Sequence, residues 1–357
     1  MAIKNGGGLS QLSANHILKI IRDIWRVEEG ASESFEGGFN WWPGHHKVTV
    51  RCQHHDNPVE SEAWRVVVDT DYIKDVDFLD PKTTQFFSSM GVIAPTYSMS
   101  CIPPEVSEKY DLPLDGKIWF HSSMYISPET IGWLPAFFAQ LTIMQPIDTE
   151  RWGLSDFARM MGGIADTSGP RTEEPIDDIL NVAHELYVPI GKERCRWHDS
   201  TEFKEIAERF GRTNMCFGNG DSSGLTLETP FGNDSALIIQ RTDVNHPALG
   251  SGLLSAIQLP CFDTFEATAG TCMWLNFLAS RSWTDAPVLA SWHPKEIQPG
   301  KFAPACGVHI PNALYAPLIA TNIVLWSLGL VRWVRQAFWP DLEDRPMDEI
   351  LAARFKI

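Results

Sequence analysis

The chain has 357 residues, 44% of them apolar and 21% charged, which is enough for one large domain or two ordinary ones with ample core. Its 29 Lys and Arg against 45 Asp and Glu give a net charge of −16. That balance argues against the basic footprint needed to grip a phosphate backbone or an anionic lipid surface, so nucleic acid is not an expected partner, and a soluble protein, or one with basic partners, fits better.

Ile17, Ile21, Ile24 and Trp25 fall on one helical face, and Gly30 is placed to end that helix. Phe39 to Trp42, the turn Pro43-Gly44-His45-His46, and Lys47 to Cys52 with period-two alternation predict a hairpin in which Gly44 takes positive φ. Trp64 to Val68 predicts a further strand. Asp80 caps and Pro81 opens a helix running to about Gly91. Tyr97 to Ile102 and Lys117 to Tyr125 predict two strands. An apolar helix from Pro128 to Gln145, with Pro135 near its start, ends the series.

The same order then returns. Phe203, Ile206, Ala207 and Phe210 predict a helix, opened by Asp199 and Glu202 at capping-box spacing and stopped by Gly211. Leu225 to Glu228 and Ala236 to Gln240 predict strands around a turn that holds Gly232 in the place of Gly44. Leu253 to Leu259 follows, then a helix opened by Asp263 and Glu266 and running to about Ala279. Val288 to Trp292, Phe302 to Ile310 and a helix with Pro317 near its start complete the repeat.

Short turns join neighbouring strands and long parallel crossovers are absent, so the expected fold is α+β: two repeated α-β-β-β-α-β-β-α units, each an antiparallel sheet packed against helices. The units are expected at 1–160 and 199–340, joined by a linker at 161–198 and followed by a tail at 341–357. This order resembles the class I chaperones of type III secretion and related chaperone-like proteins of bacteria. The resemblance rests on element order and acidity across both halves, and no motif transfers a residue from that family. It implies a chaperone-like, non-enzymatic protein-binding adaptor that holds a segment of a partner protein on strand edges or in apolar grooves. Those chaperones are usually homodimers of one unit, so this chain looks like a fused pseudo-dimer, with its oligomeric state left open; its linker and its 14 tryptophans depart from the family.

The seven cysteines are scattered, with no CxxC pair, and the start of the chain lacks the apolar stretch of a signal peptide. Both point to a cytoplasmic protein with reduced thiols. Ala313 to Val331 is long and apolar enough to raise a membrane segment, but Pro317, Thr321, Asn322 and Ser327 interrupt it, so a buried or interface helix is expected.

For binding, the candidates are Trp41, Trp42 and Trp64. The first two are consecutive on a strand, so their rings face opposite ways and one is free for a groove. The alternative is an enzyme or small-molecule binder with a pocket between the halves, in which His54, His121 and Asp69 serve as acid and base. Cys52 and His54 have the spacing of two zinc ligands on a strand, with His121 as a third, but no set is complete, and no metal or cofactor is expected. Asp69, Asp71, Asp75 and Asp77 lack the EF-hand pattern. Gly220 to Gly224 matches G-x-S-x-G, yet a strand rather than a helix follows it, so a polar hairpin is expected.

Overall fold

The structure is a computed structural model. It describes residues 6–55, 63–90, 96–104, 107–108, 116–153, 156–167, 180–181, 183–184, 195–197, 202–210, 218–221, 224–228, 235–242, 250–281, 286–316 and 319–338. Gly232, Pro317, the proposed cap at Asp199, Gly211 and the tail at 341–357 lie outside them.

The first unit opens with α1 (Gly6–Trp25), whose apolar face of Ile17, Leu18, Ile21 and Trp25 is buried. The helix ends earlier than Gly30. Arg26 takes the left-handed cap position at φ 53°, and the Val27 N–H donates to the Arg22 carbonyl. Four strands follow: β1 (Ser32–Phe35), β2 (Gly38–Trp41), β3 (Val48–His55) and β4 (Ala63–Lys74). Then come α2 (Pro81–Met90), β5 (Ser98–Cys101), β6 (Ile118–Ile126), α3 (Leu134–Thr142), α4 (Met144–Gly153), α5 (Asp156–Met160) and β7 (Ile164–Ala165). The sheet order is β1-β2-β3-β4-β6-β5, with β7 paired to β4.

The second unit contains α6 (Glu202–Phe210), β8 (Gly218–Asp221), β9 (Gly224–Glu228), β10 (Ala236–Thr242), β11 (Gly252–Gln258), α7 (Phe265–Ser280), β12 (Trp292–Gln298), β13 (Lys301–Pro311) and α8 (Ile319–Phe338). Its order, β8-β9-β10-β11-β13-β12, matches that of the first sheet strand for strand. The fold is α+β with two antiparallel sheets.

Several expectations need correction. Each unit has four strands before its second helix, not three, because β1 and β8 add a hairpin partner. The helix expected from Pro128 to Gln145 is two helices, α3 and α4; Pro146 sits in the first turn of α4, where a missing N–H is tolerated. The strand expected at Val288 to Trp292 starts only at Trp292. Thr264, not Asp263, caps α7, its Oγ1 accepting from the Ala267 N–H. Of the G-x-S-x-G stretch, Gly220 and Asp221 lie in β8 and Gly224 opens β9, with Asp221 paired to Gly224.

In the first sheet, Val48, Val50 and Cys52 of β3 and Val66 and Val68 of β4 join the core with α1 and α3. In the second, Leu237, Ile239, Leu253 and Ile257 are buried. Val50 to Ile239 is an odd spacing, whereas Gly44 to Gly232 is even. An odd slip exchanges the faces of a strand, so the spacing of those two glycines does not superpose the two cores.

The units are not separate bodies. One apolar cluster contains residues of both, and Met273 of α7 joins a second cluster around Tyr72, Phe87 and Phe120. Contacts across the junction are reciprocal: α7 lies against β5, α2 lies against the matching strand β12, and α2 meets α7. Phe137 of α3 and Trp326 of α8 bring the matching last helices together at 6.2 Å between ring centroids. This is the pattern of an isologous, two-fold interface. Ser123 and Val288 exchange two backbone hydrogen bonds of 2.9 Å across it.

The connection is also built in. Ile164–Ala165 pairs with β4, Thr167 bridges to His46, and Cys195 and Trp197 are buried in the shared core. Among the described residues, no helix is long and apolar enough to cross a membrane.

Candidate functional site

Asp69 and His121, two of the three residues chosen as acid and base, are brought together. They are directly opposed on β4 and β6, and the Asp69 carboxylate accepts from His121 Nδ1 at 2.7 Å. Arg51 of β3 holds the other carboxylate oxygen. His121 is fully buried, and its Nε2 has no partner. Burial pulls the imidazole below its ordinary range, and Asp69 only partly offsets this, so the ring is neutral and donates. Burial pushes the Asp69 carboxyl up, but His121 and Arg51 outweigh it and hold it below the usual carboxylate range.

His54 is not part of this group. It lies at the far end of β3, by alternation on the opposite face of the sheet, edge-on to Trp64 at 6.3 Å. Cys52 is buried and its thiol is pushed up to about 12, so it is a poor metal ligand at neutral pH. Among the described residues, no group of three or more His, Cys, Asp or Glu is placed to hold a metal. Of the acidic cluster, Asp71 is neutralised by Lys47 at 2.9 Å and Lys117 at 3.0 Å, while Asp75 and Asp77 are exposed.

A second histidine–carboxylate cluster was not found by sequence reasoning. Glu150 of α4 accepts from the backbone N–H groups of His45 at 2.6 Å and His46 at 2.7 Å. It also accepts from both Nδ1 atoms, at 3.1 and 3.0 Å. Burial raises this carboxyl, but the hydrogen bonds and charge of His46, with His45, hold it below the usual range. The turn needs Gly44 because a Cβ there would sit 2.7 Å from the Glu150 carboxyl carbon. Gly44 is not among the positive-φ glycines; close approach, not handedness, demands it.

The three tryptophans proposed for binding are all buried. Trp41 stacks on Trp25 at 5.5 Å, and Trp64 lies in the core. Trp42 leaves the strand, its backbone N–H donating to the Ala31 carbonyl, so strand alternation does not govern it, and it is covered as well.

The open concavity lies elsewhere. A cleft of about 360 Å³ separates the first turns of α2 and α7. Pro81, Lys82 and Gln85 form one wall; Phe265, Glu266 and Ala269 form the other. These are the first, second and fifth positions of the two helices, the same face of each. Phe78 and Met273 add apolar lining. Leu79 stands 71% exposed at the cleft, and a Cβ on Gly270 would meet nothing within 4 Å. The size is at the lower end of ligand sites.

Comparison of the chain with protein-family models, with curated proteins and with solved structures gave no match. The functional reading therefore rests on this geometry.

Proposed function

We propose that the chain is a non-enzymatic, protein-binding adaptor of chaperone-like build, a bacterial type of pseudo-dimer arisen by internal duplication, that holds a segment of a partner protein in the cleft between α2 and α7. The observation that carries this reading is the cleft itself: an apolar concavity at the junction of two like units, with Leu79 presented to solvent. Exposed apolar surface of this kind marks binding sites. Strand addition is less favoured, because the edge strand β12 carries Pro294 and Lys295 and β1 is short and polar, both features that blunt an edge. The cysteines seen are free, in keeping with a cytoplasmic setting.

Native mass spectrometry of the full chain purified from its own host tests the reading. A polypeptide that co-purifies with the chain and is lost from Leu79→Asp is the expected result. A bound organic small molecule instead, or a polypeptide unaffected by Leu79→Asp, overturns it.

A second reading, an acid–base site, is favoured by one observation: the Asp69–His121 pair leaves a buried Nε2 without a partner, the arrangement of an oriented general base. His121 is sealed from solvent, so this reading needs a movement that exposes its Nε2.

A further inference from the structure

The cleft sits between matching helices, yet its two walls are not alike. Lys82 is the second residue of α2 and Glu266 the second residue of α7. A symmetric homodimer places the same residue on both sides of its axis. Here opposite charges occupy corresponding positions on facing walls. Carboxylates flank the chain segments on both sides of the cleft. Asp77 and Asp80 flank the α2 side, where their carboxylates accept from the Leu79 and Lys82 N–H groups. Asp263 precedes α7 and is exposed. Within the lining itself one acid, Glu266, and one base, Lys82, stand beside an apolar floor of Phe78, Phe265 and Met273.

Resting on the proposed function, we infer that the cleft binds one partner segment per chain in a fixed direction, and that this segment has an apolar anchor side chain with Lys or Arg on the flank that meets Glu266. Charge complementarity selects the partner: Glu266 is the acidic group of the lining, Asp77, Asp80 and Asp263 lie exposed on the segments that flank it, and the chain as a whole has a net charge of −16, so a basic-flanked apolar segment is attracted and an acidic one repelled. Phe78, Phe265 and Met273 receive the anchor. Gly270 leaves room beside it, at a helix position where glycine costs about 1 kcal/mol relative to alanine. Both walls are required, so neither unit contains the site alone.

The test uses the full chain and fluorescence anisotropy with synthetic peptides of equal length. All carry the same Leu-Phe anchor, flanked by Lys on one side, Lys on the other, Gln, or Glu. The expected result is tighter binding of one Lys-flanked order, by about threefold to tenfold over the reversed order, narrowing at high salt. The charge-swap variant Lys82→Glu/Glu266→Lys reverses the preferred order. Leu79→Asp, at an exposed position, and Gly270→Leu, which fills the cleft, each abolish binding while the thermal midpoint stays close to the parent's. Cleft-dependent binding with no charge preference, or with a preference the swap leaves unchanged, overturns the inference and spares the proposed function. Binding insensitive to both Leu79→Asp and Gly270→Leu overturns the cleft as the site. Failure of every peptide to bind overturns inference and reading together.

Discussion

The two sheets have one strand order and different interiors. In the first unit and the segment just after it, Glu150 pairs with His45 and His46, Asp69 with Arg51 and His121, and Asp71 and Asp166 with Lys47, Lys74 and Lys117. The second unit contains neutral contacts, such as Ser255 Oγ with Ser327 Oγ at 2.9 Å and Thr242 with His309 at 3.2 Å. Close backbone approach is common to both units: a Cβ on Gly38 would come within 2.3 Å of the Val50 carbonyl, as one on Gly224 or Gly252 would come within 2.2 Å of the Ile239 carbonyl or 2.4 Å of the Ile310 carbonyl. The difference teaches that topology follows apolar alternation and turn placement. Buried polar chemistry is free to diverge, provided each donor and acceptor is matched.

The contrast breaks most sharply at Glu150. Glu150→Ala leaves two backbone N–H groups and two imidazoles without their acceptor, and is expected to destabilise by about 3–4 kcal/mol, read from urea unfolding. The lowered carboxyl gives a sign for pH. Its stabilisation is complete above the unfolded value near 4.3 and is lost as pH falls through the lower folded value. The variant is expected to show a flatter acid limb.

Asn276 probes the junction instead. Its Oδ1 accepts from Ser98 Oγ at 3.1 Å and from the Trp292 N–H at 2.8 Å, while Nδ2 donates to Ser291 Oγ and to the Trp292 carbonyl. Asn276→Ala is expected to cost about 2–3 kcal/mol. It should also raise hydrogen exchange along β5, at the boundary between the units, more than within either sheet.

His121→Gln has a smaller effect, confined to pH. The folded chain holds His121 neutral, whereas the unfolded chain takes up a proton near pH 6.5. The native chain therefore loses stability as pH falls from 6.5 toward the depressed folded value, by at most about 1.4 kcal/mol per pH unit. In the variant that part of the slope is absent, which unfolding midpoints at pH 7.5 and 5.5 will show. The smallest effect is expected in the second unit. The double change Ser255→Ala/Ser327→Ala removes both partners of one hydrogen bond and leaves neither stranded, so it should stay within about 1 kcal/mol of the parent in the same urea assay.

Much of the fold was legible because its signals are local. Val48, Val50 and Cys52 alternate, Asp80 and Pro81 mark a helix start, and the two halves repeat the order. β1 was missed because Ser32–Phe35 is mostly exposed and polar, with no alternation to read. The long helix was overextended because α3 and α4 abut with only Ile143 between them. The site was far less legible. Asp69 and His121 were both chosen, but their pairing depends on strand register, 52 residues apart in sequence. Nothing near Glu150 signals that its carboxylate reaches a turn 105 residues earlier. Asn276 did leave a trace, a lone amide within the apolar run Met273 to Ala279. Trp41, Trp42 and Trp64 misled because large rings serve cores as readily as grooves. The cleft involves segments far apart in the chain, so no window of sequence contains it.

The reciprocal packing of α2, α7, β5 and β12 occurs within one covalent chain, and β7 together with Thr167 pins the connection to the first sheet. Association of the two halves is therefore an intramolecular event at an effective concentration set by the connector, of millimolar order for short linkers. A homodimer loses its interface on dilution, and its apparent stability changes with protomer concentration. Here the association of the two halves is first order, so dilution alone does not separate them.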